Sequence, residues 1–321
     1  MFASLFTPSR RRVIRRRLVQ AVPVLILATL VVFGLLKLMP GDIAITLAGE
    51  NATDERIAEI REMYGLNRPF LVQYGSWLAH AVQGDLSKSL ASGEAVAVSI
   101  ARSFPNTLLI VLLAMTLALS IGVPLGLLAA SRPDSALDRT VTSIASLGIA
   151  VPNFWLGMIL VSWLALEFGW FPATGSVPFK DDPLKSLHHA LLPALALAAG
   201  GVAEVSRQLR SSMVEFLSSP PVRTLHAKGL APRQILWKHG LKNVGVNLLT
   251  VATLLFNRML AATVVVEAVF AIPGMGNLIV NGAVHRDLPV VQGVVFVMVL
   301  VVITVNLIAD VLYTVLDPRI A

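Results

Sequence analysis

The 321-residue sequence contains no cysteine. Disulfide-stapled scaffolds, thiol catalysis, cysteine-ligated zinc and iron–sulfur clusters are therefore excluded. Charged residues are also scarce, at 14% of the chain, whereas hydrophobic residues make up 55%. Average soluble domains carry about 25% charged residues, and disordered chains combine low hydrophobicity with high charge. The remaining question is whether the apolar excess fills a soluble core or forms blocks of membrane-spanning length.

Six stretches are long enough to cross a membrane, which takes about 20 mostly apolar residues. Five carry no charge, and the sixth is interrupted only by Arg258. Buried helices of a soluble protein would not need six such lengths, because surface helices carry a polar face. We therefore expect an all-α polytopic membrane protein with six transmembrane helices. The stretches are residues 18–36, 103–131, 140–166, 186–203, 243–266 and 288–309.

Lysine and arginine are concentrated in alternate connections, which indicates the orientation of the chain. Six arginines lie within residues 10–17. Seven basic residues follow the fourth stretch, namely Arg207, Arg210, Arg223, Lys228, Arg233, Lys238 and Lys242. Both termini are therefore predicted to be cytoplasmic, and the net charge of +7 is explained without a nucleic-acid partner. The first apolar run is too long for the core of a cleaved signal peptide, so we interpret it as a signal anchor.

The connection between the first two stretches is polar enough to fold outside the bilayer. Thr53 is placed to cap a helix that Gly65 ends, and residues 70–82 form a second amphipathic segment. Val96 begins a third, which leads into the second stretch. This connection is either a solvated cap or a docking site for an external partner.

The third external loop, residues 272–289, contains residues typical of turns. Gly274 and Gly276 would allow a tight re-entrant bend in it. Such backbone is tolerated at membrane depth only where protein or water satisfies its polar groups.

The cytoplasmic segment 211–246 combines basic residues with an apolar stripe. Pro220 and Pro221 break the continuation of the fourth helix, and Gly229 and Pro232 divide the remainder. The stripe consists of Val222, Leu225, Leu230, Ile235, Leu236 and Leu241. Such a segment suits either an anionic lipid surface or the groove of a partner protein, and composition alone does not separate the two.

Sequence signatures of catalysis and metal binding are missing. The sequence has neither a Walker A pattern nor a His-Glu-x-x-His zinc motif, and no nucleophile-elbow motif supports a serine triad. His188 and His189 stand together at a predicted membrane boundary, where we expect no metal site. We therefore predict a non-catalytic protein that itself binds neither cofactor nor metal.

Three ionisable residues, Arg258, Glu267 and Asp310, lie in or at the ends of the predicted spans, and charges within a membrane are costly and usually functional. Glu267 and Asp310 stand near span ends, where they could simply cap a helix at the interface. Arg258 is deeper, and it either lines an aqueous path or pairs with an acidic group on another helix. The spacing of Arg258 and Glu267 places them on nearly opposite faces of one helix, so a pair between them is not expected.

The sequence resembles, over nearly its whole length, the permease subunits of bacterial dipeptide/oligopeptide ABC importers. In the first half the resemblance rests on segments such as Pro40-Gly41-Asp42, Gly84-Asp85-Leu86-Ser87 and Val151-Pro152. The C-terminal match is the strongest. Its members with an implied structural or gating role are Pro273, Gly274, Gly276, Arg286, Asp287, Asn306, Asp310, Asp317, Pro318 and Arg319. Glu267, Phe270, Pro289, Gln292, Gly293, Leu307 and Tyr313 complete it.

The cytoplasmic segment resembles the loop through which these permeases contact their ATPases, which in the peptide branch reads Arg-Thr-Ala-x-Ala-Lys-Gly. The corresponding residues are Arg223, Thr224, Leu225, His226, Ala227, Lys228 and Gly229, followed by Leu230. The resemblance implies a coupling helix within the loop 216–247 that enters a groove of an ATPase subunit. Leu225 and His226 depart from the usual Ala and Arg, Pro220-Pro221 replaces the usual Asp-Tyr, and Asn247 stands where proline is typical.

The resemblance implies a type I ABC importer permease in the bacterial inner membrane. It divides the chain into a cytoplasmic N-terminus (1–17), a first span (18–39), an external helical segment (40–104) and a five-helix core (105–321). Such a subunit forms half of a pathway for di-/oligopeptides. Its expected partners are a homologous permease, two ATPase subunits that bind ATP and Mg, an external substrate-binding protein and the lipid bilayer.

Arg258 and Glu267 are the candidates to line this pathway. Asn257 and Arg258 occupy a stretch that is usually small and Gly-rich in the family. Because Arg258 has no evident counter-charge in the sequence, we hypothesise that it attracts a peptide carboxylate. Related permeases also serve nickel, glutathione and oligosaccharides, so the cargo stays open.

Two other classes of protein remain as alternatives. An ATPase-independent channel or secondary transporter would have no need of the loop around Gly229. A membrane-embedded enzyme would need a polar catalytic cluster within the spans, and none is evident.

Overall fold

The structure is a computed structural model of the chain, and it describes residues 8–38, 44–45, 52–63 and 65–316. Helices form nearly all of the regular structure in these ranges. The first group comprises α1 (Pro8–Leu38), α2 (Asp54–Met63), α3 (Phe70–Val82), α4 (Val96–Ser131), α5 (Ala136–Ala150) and α6 (Asn153–Glu167). The second comprises α7 (Pro183–Ser218), α8 (Pro220–Ala227), α9 (Pro232–Val269), α10 (Met275–Val284) and α11 (Leu288–Leu316).

Within the described residues, α1, α4, α7, α9 and α11 are each long and apolar enough to cross a membrane. The third predicted span is not one continuous helix. It consists of α5 and α6, which are bent by 95° at the break between them. The physical reason is Pro152, which lacks an N–H and disfavours helical backbone in the preceding residue. Val151 accordingly adopts φ −82 and ψ 122.

The fifth span begins earlier than the apolar stretch 243–266 predicts. Helix α9 starts at Pro232, and residues Ile235–Gly240 form a π-helical turn before the regular helix continues. Gly240 lies in that turn, and a Cβ there would approach Met213 Sδ to 2.6 Å. The absence of a side chain thus lets α9 pack closely against the C-terminal part of α7.

The chain forms two compact units, each with its own packed interior. One contains residues 105–273 together with the described residues up to Arg17 and from Thr304 onward. Its centre is α7, which contacts α5, α6 and α9. Gly201 of α7 faces α9 and α4. A Cβ on Gly201 would lie only 2.7 Å from Met259 Cε and 2.9 Å from Ala118 Cβ. Small residues of this kind let membrane helices approach closely.

The other unit contains residues 18–104 and 274–303. Its main apolar cluster joins the connection after α3 to the beginnings of α4, α10 and α11, through Ala81, Leu86, Val96, Ile100, Met275, Val290, Val294 and Phe296. Helix α3 also packs on α1, because the Tyr74 hydroxyl bonds to the Ile26 carbonyl at 3.0 Å and lies 2.9 Å from Thr29 Oγ1. The Tyr74 and Ala81 side chains of α3 are therefore buried within this unit.

The predicted helices of the external segment are present. The N–H of Arg56 donates to Thr53 Oγ1 at 3.3 Å, at the start of α2. Gly65 follows α2 with a positive φ of 61. Helix α3 has the predicted bounds, and α4 begins at Val96 as expected.

The glycines that the sequence singles out at the bend after α9 do not adopt left-handed backbone. Gly274 has φ −104, and Gly276 lies inside α10. The left-handed backbone is supplied instead by Ala271, with φ 48, and by Arg286, with φ 55. Non-glycine residues hold such a conformation only where surrounding contacts enforce it.

Candidate coupling helix and membrane-embedded charges

The predicted ATPase-contact loop begins as a separate short helix, α8. Ser219 is extended, with φ −76 and ψ 155, and Pro220 and Pro221 occupy the first helical positions. The N–H groups that proline lacks would have no partner there in any case, and its fixed φ suits the first turn. The two prolines thus end α7 and start α8 at once.

Gly229 closes α8 with a Schellman motif. Its N–H donates to the His226 carbonyl at 2.9 Å, and the N–H of Leu230 donates to the Leu225 carbonyl at 3.3 Å. Gly229 has φ 76, and nothing lies within 4 Å of the position that a Cβ would take. Glycine is therefore required here by backbone conformation and not by lack of space.

The surface of α8 is basic and exposed. Exposed residues of the predicted loop are Arg223, Thr224, His226, Ala227, Lys228 and Gly229, whereas Leu225 and Leu230 are half-buried. The apolar stripe is only partly available to a partner, because Val222 and Ile235 are buried within this chain. Sequence periodicity assigned them to one surface, and tertiary packing divides them between the interior and the surface.

Helix α8 follows directly from α7, whose C-terminal part is held by an ion pair that the sequence did not reveal. Arg210 donates from Nε and Nη2 to the two carboxylate oxygens of Asp138, at 2.7 and 2.5 Å. The Asp138 side chain is only 3% exposed. It also accepts from the N–H of Asp134 at 2.9 Å. The pair therefore joins α7 to the first turn of α5.

Asp138 had a detectable sequence signal. Ser135 caps α5 by accepting from the N–H of Asp138 at 3.2 Å, so the spacing Ser-x-x-Asp marks the helix start. The arginine partner had no such signal, because it lies 72 residues away.

The same end of α7 contacts two more helices. Leu209 and Met213 form an apolar cluster with Leu127 and Ala130 of α4 and Val244 of α9. Ser212 additionally accepts a hydrogen bond from the Asn247 amide. Helices α4, α5 and α9 thus all contact the segment that leads into α8.

Arg258 is paired, contrary to the expectation that it lacks a counter-charge. Its Nη1 and Nη2 donate to Glu204 at 2.6 and 3.3 Å. The Arg258 side chain is 65% exposed, whereas that of Glu204 is 20% exposed. Glu204 was missed because it directly follows the uncharged stretch 186–203. Membrane-embedded arginines usually pair in this way. Pairing with an acidic group on another helix was one of the two interpretations of Arg258 that the sequence allowed.

A cavity of about 240 Å³ opens beside this pair. Its walls come from the α5–α6 break, from α7 and from α9, and among its lining residues are Asn153, Leu197, Gly200, Glu204, Leu255 and Arg258. Glu204 and Arg258 are the only charged residues that line it in the part of the chain that the structure describes. The break at Pro152 thus places irregular backbone and a charge pair at one concave site.

Glu267 lies elsewhere, as the opposite-face expectation requires. Its side chain is fully buried and accepts from Thr107 Oγ1 at 2.6 Å. The neighbouring Asn106 donates to the Pro273 carbonyl at 2.9 Å. These contacts hold the end of α9 and the turn after it against α4, and Glu267 does not line the cavity beside Arg258.

The remaining motif residues contact different parts of the fold. Asp287 is buried and accepts from Ser89 Oγ at 2.5 Å and from the N–H of Leu90 at 3.1 Å. Asp310 pairs with Arg17 at 2.8 Å. Asn306 accepts from Asn257 at 3.4 Å. Asp317, Pro318 and Arg319 lie outside the described residues.

The histidine pair at the start of α7 contacts the loop between α6 and α7. His188 Nε2 lies 3.0 Å from the Trp170 carbonyl, and His189 Nδ1 lies 3.2 Å from the Gly175 carbonyl. Asp182 caps the same helix by accepting from the N–H of Lys185 at 3.0 Å, which lowers the pKa of its carboxyl group. In the described residues no group of three or more His, Asp or Glu side chains could hold a metal ion.

Two family matches together account for nearly the whole chain. Residues 122–321 match the binding-protein-dependent transport system inner membrane component, and residues 10–123 match the N-terminal region of such membrane components. The chain belongs to this family.

Curated relatives of the family share more than a third of their residues with this chain. A putative peptide transport system permease protein of Brucella abortus is 38% identical over 96% of this chain and 98% of its own length. The oligopeptide transport system permease protein AppB of Bacillus subtilis is 38% identical over 95% and 98%. The glutathione transport system permease protein GsiC of Escherichia coli is 36% identical over 95% and 97%.

The fold is that of an ABC importer permease. A chain of the inward-facing MetNI methionine ABC transporter aligns with a TM-score of 0.55 at 19% identity, over 68% of this chain and 96% of that one. A second crystal form of the same transporter gives a TM-score of 0.57. At this identity the likeness concerns the fold alone, and it agrees with the family membership and with the several membrane-length helices.

Proposed function

We propose that this chain is the permease subunit of an ATP-driven importer of di-/oligopeptides and forms half of its translocation pathway. The family membership supports the transport role, and the names of the Brucella and Bacillus relatives support peptide cargo. The other half is a homologous permease. Two ATPase subunits bind on the cytoplasmic side, and a substrate-binding protein docks outside.

The observation that carries this proposal is α8. It is a short helix delimited by two prolines and a left-handed glycine, its exposed surface is basic, and it directly follows the end of α7 that contacts α4, α5 and α9. A rigid, exposed helix of this kind fits a groove in a partner. The apolar residues buried within the chain further favour a protein groove over a lipid surface.

In this role the chain catalyses no covalent chemistry and binds no cofactor, because ATP and Mg belong to the ATPase subunits. ATP binding closes the ATPase pair and moves α8. The contacts of α7 with α4, α5 and α9 then transmit that displacement to the spans. The permease thus switches between two conformations, and the ATPase subunits on one side and the substrate-binding protein on the other both shift the equilibrium between them.

The proposal includes an orientation in the bacterial inner membrane, with both termini and α8 in the cytoplasm. The arginines of the N-terminus and the basic residues around α8 lie on that side by the positive-inside rule. Glutathione transport is the second candidate function, because the Escherichia relative carries that name at 36% identity.

The Gly229→Asp substitution tests the coupling role. The acidic side chain enters a basic surface and strains a φ of 76, so we expect the ATPase to detach or to lose transport-coupled hydrolysis. Copurification and peptide-stimulated ATP hydrolysis are measured in the reconstituted complex.

The matched control is Gly169→Asp, at a glycine with φ 65 and equally open surroundings in the loop after α6. It imposes the same backbone strain away from α8 and should leave coupling intact. A Gly229→Asp complex with normal copurification and stimulated hydrolysis would contradict the proposed role of α8.

A further inference from the structure

The Arg258–Glu204 pair leaves much of the guanidinium available to a second partner. Arginine has five N–H donors in a planar fork, and only Nη1 and Nη2 donate to Glu204. Within the described residues, Glu204 is the one acidic group in contact with Arg258. The arginine side chain is 65% exposed and the carboxylate 20%. The guanidinium of Arg258 therefore keeps N–H donors that Glu204 does not use, whereas the carboxylate of Glu204 is largely covered.

Arg258 and Glu204 both line the cavity of about 240 Å³ whose walls come from the α5–α6 break, α7 and α9. Leu197, Leu255 and Met259 contribute apolar walls, and Asn153 contributes an amide. Apolar surroundings strengthen electrostatic interactions relative to water. An anion that enters this cavity would meet a guanidinium in a setting where charge complementarity is effective.

Gly200 and Gly201 of α7 both line this cavity. A Cβ on Gly200 would lie 3.7 Å from Asn153 Oδ1 and from the Gly148 carbonyl, which is ordinary van der Waals contact. A Cβ on Gly201 would meet Met259 Cε at 2.7 Å. Residue 200 therefore has room for a small side chain, whereas residue 201 has room only if Met259 moves.

We propose that the free edge of Arg258 binds the C-terminal carboxylate of a peptide in transit, and that Glu204 holds the guanidinium when no peptide is present. This site rests on the proposed peptide-importer function and adds a specificity-determining pair to it. A planar guanidinium suits carboxylates because it can donate two parallel hydrogen bonds to each. Glu204 keeps the arginine neutralised in the membrane and, by sharing it, prevents the peptide from being retained.

The experiment uses the reconstituted complex with its own binding protein and compares uptake of a short peptide as the free acid and as the C-terminal amide. Because the binding protein is unchanged, the ratio of the uptake rate of each variant to that of wild type reports the contribution of the permease alone. Arg258→Ala should lower free-acid uptake about tenfold or more, as loss of a hydrogen bond to a charged group implies. Uptake of the amide should change little.

The Glu204→Gln variant distinguishes a shared site from a merely structural pair. The guanidinium loses its resident anion, so the free acid is bound more tightly and released more slowly. We expect KM and kcat for the free acid to fall together. Arg207→Ala is the control, because Arg207 is exposed one turn from Arg258's partner on α7 and does not line the cavity.

Two results would overturn the proposal. If Arg258→Ala lowers acid and amide uptake equally and the second permease no longer copurifies, Arg258 is an assembly contact. If both peptides are transported by the variant as by wild type, the arginine has no part in cargo recognition. Failure of the wild-type complex to transport any peptide, with ATP-dependent uptake of another cargo, instead rejects the peptide assignment and this site with it.

Discussion

Single side chains decide how closely α7 can approach its neighbours. Gly201 lies where any Cβ would be within 3.0 Å of two side-chain carbons, whereas the Cβ of a residue at 200 would have ordinary contacts. Hydropathy treats the two glycines alike. Only the positions of Met259 and Ala118 distinguish them, because these belong to other helices.

At the residue scale we predict that Gly201→Ala is destabilising and Gly200→Ala is not. Overpacking of a tight interface costs about 1–3 kcal/mol, although the flexible end of Met259 can absorb part of it. The measurement is the thermal midpoint of the purified protein in detergent. Equal midpoints for both variants would contradict the predicted overpacking at Gly201.

At the scale of elements, short helices and breaks organise the long spans. Pro152 divides the third span, and Pro220–Pro221 separates α8 from α7. These breaks follow from local chemistry and are visible as prolines in the sequence. Their consequences are not local, because the first break lines a cavity and the second starts a separate helix whose exposed residues are basic.

The ion pair between α5 and α7 gives a prediction at the same scale. Arg210→Ala leaves the buried Asp138 carboxylate unpaired, which costs about 3–5 kcal/mol. Arg207→Ala removes an exposed arginine three residues earlier on α7 and should stay within about 0.5 kcal/mol. Thermal unfolding in detergent compares the two variants.

A double-mutant cycle checks that the effect of Arg210 acts through Asp138. The double variant Asp138→Ala/Arg210→Ala should be less destabilised than the sum of the single variants, because the second substitution removes the stranded charge. Strict additivity would mean that the two side chains stabilise the protein independently.

At the scale of the whole molecule, the distribution of charge leads to a prediction about topology. The sequence has no cysteine, so the native chain is already a background for single-cysteine labelling. Asp181 in the loop before α7 and Arg132 in the loop after α4 are both exposed. They are predicted to lie on opposite sides of the membrane.

In intact spheroplasts, a membrane-impermeant maleimide should label Asp181→Cys at once and Arg132→Cys only after permeabilisation. Transport by both variants serves as the control for correct insertion. The reverse pattern of labelling would invert the proposed orientation and place α8 outside the cell, away from any ATPase.

Much of the fold could be predicted because its signals are local. Residues 70–82 have the amphipathic pattern of α3, Thr53 and Gly65 delimit α2, and the apolar stretches identify the spans. A predicted helix boundary was wrong where hydropathy and tertiary packing favour different starting points. The start of α9 lies before the apolar stretch 243–266, because packing of Gly240 against Met213 continues the helix into polar sequence.

The candidate site was predicted less completely than the fold. The prolines and the glycine that delimit α8 are visible in the sequence, and the assignment of its residues to ATPase coupling stays a prediction from the resemblance. Glu204 was missed because it lies just beyond an uncharged stretch, and Val222 and Ile235 were assigned to a free surface that packing removes. A stripe of apolar residues shows which side of a helix is apolar, but it does not show whether this chain or a partner covers that side.

The sequence by itself determined that this protein is a helical membrane permease. Span length, charge asymmetry and family motifs depend only on the order of residues along the chain. Only the tertiary structure decided which charges meet. Arg258 and Glu204 are 54 residues apart, and Asp138 and Arg210 are 72 apart. Such pairs depend on which faces of separate helices come into contact, and the periodicity of a single helix carries no information about the helix that faces it.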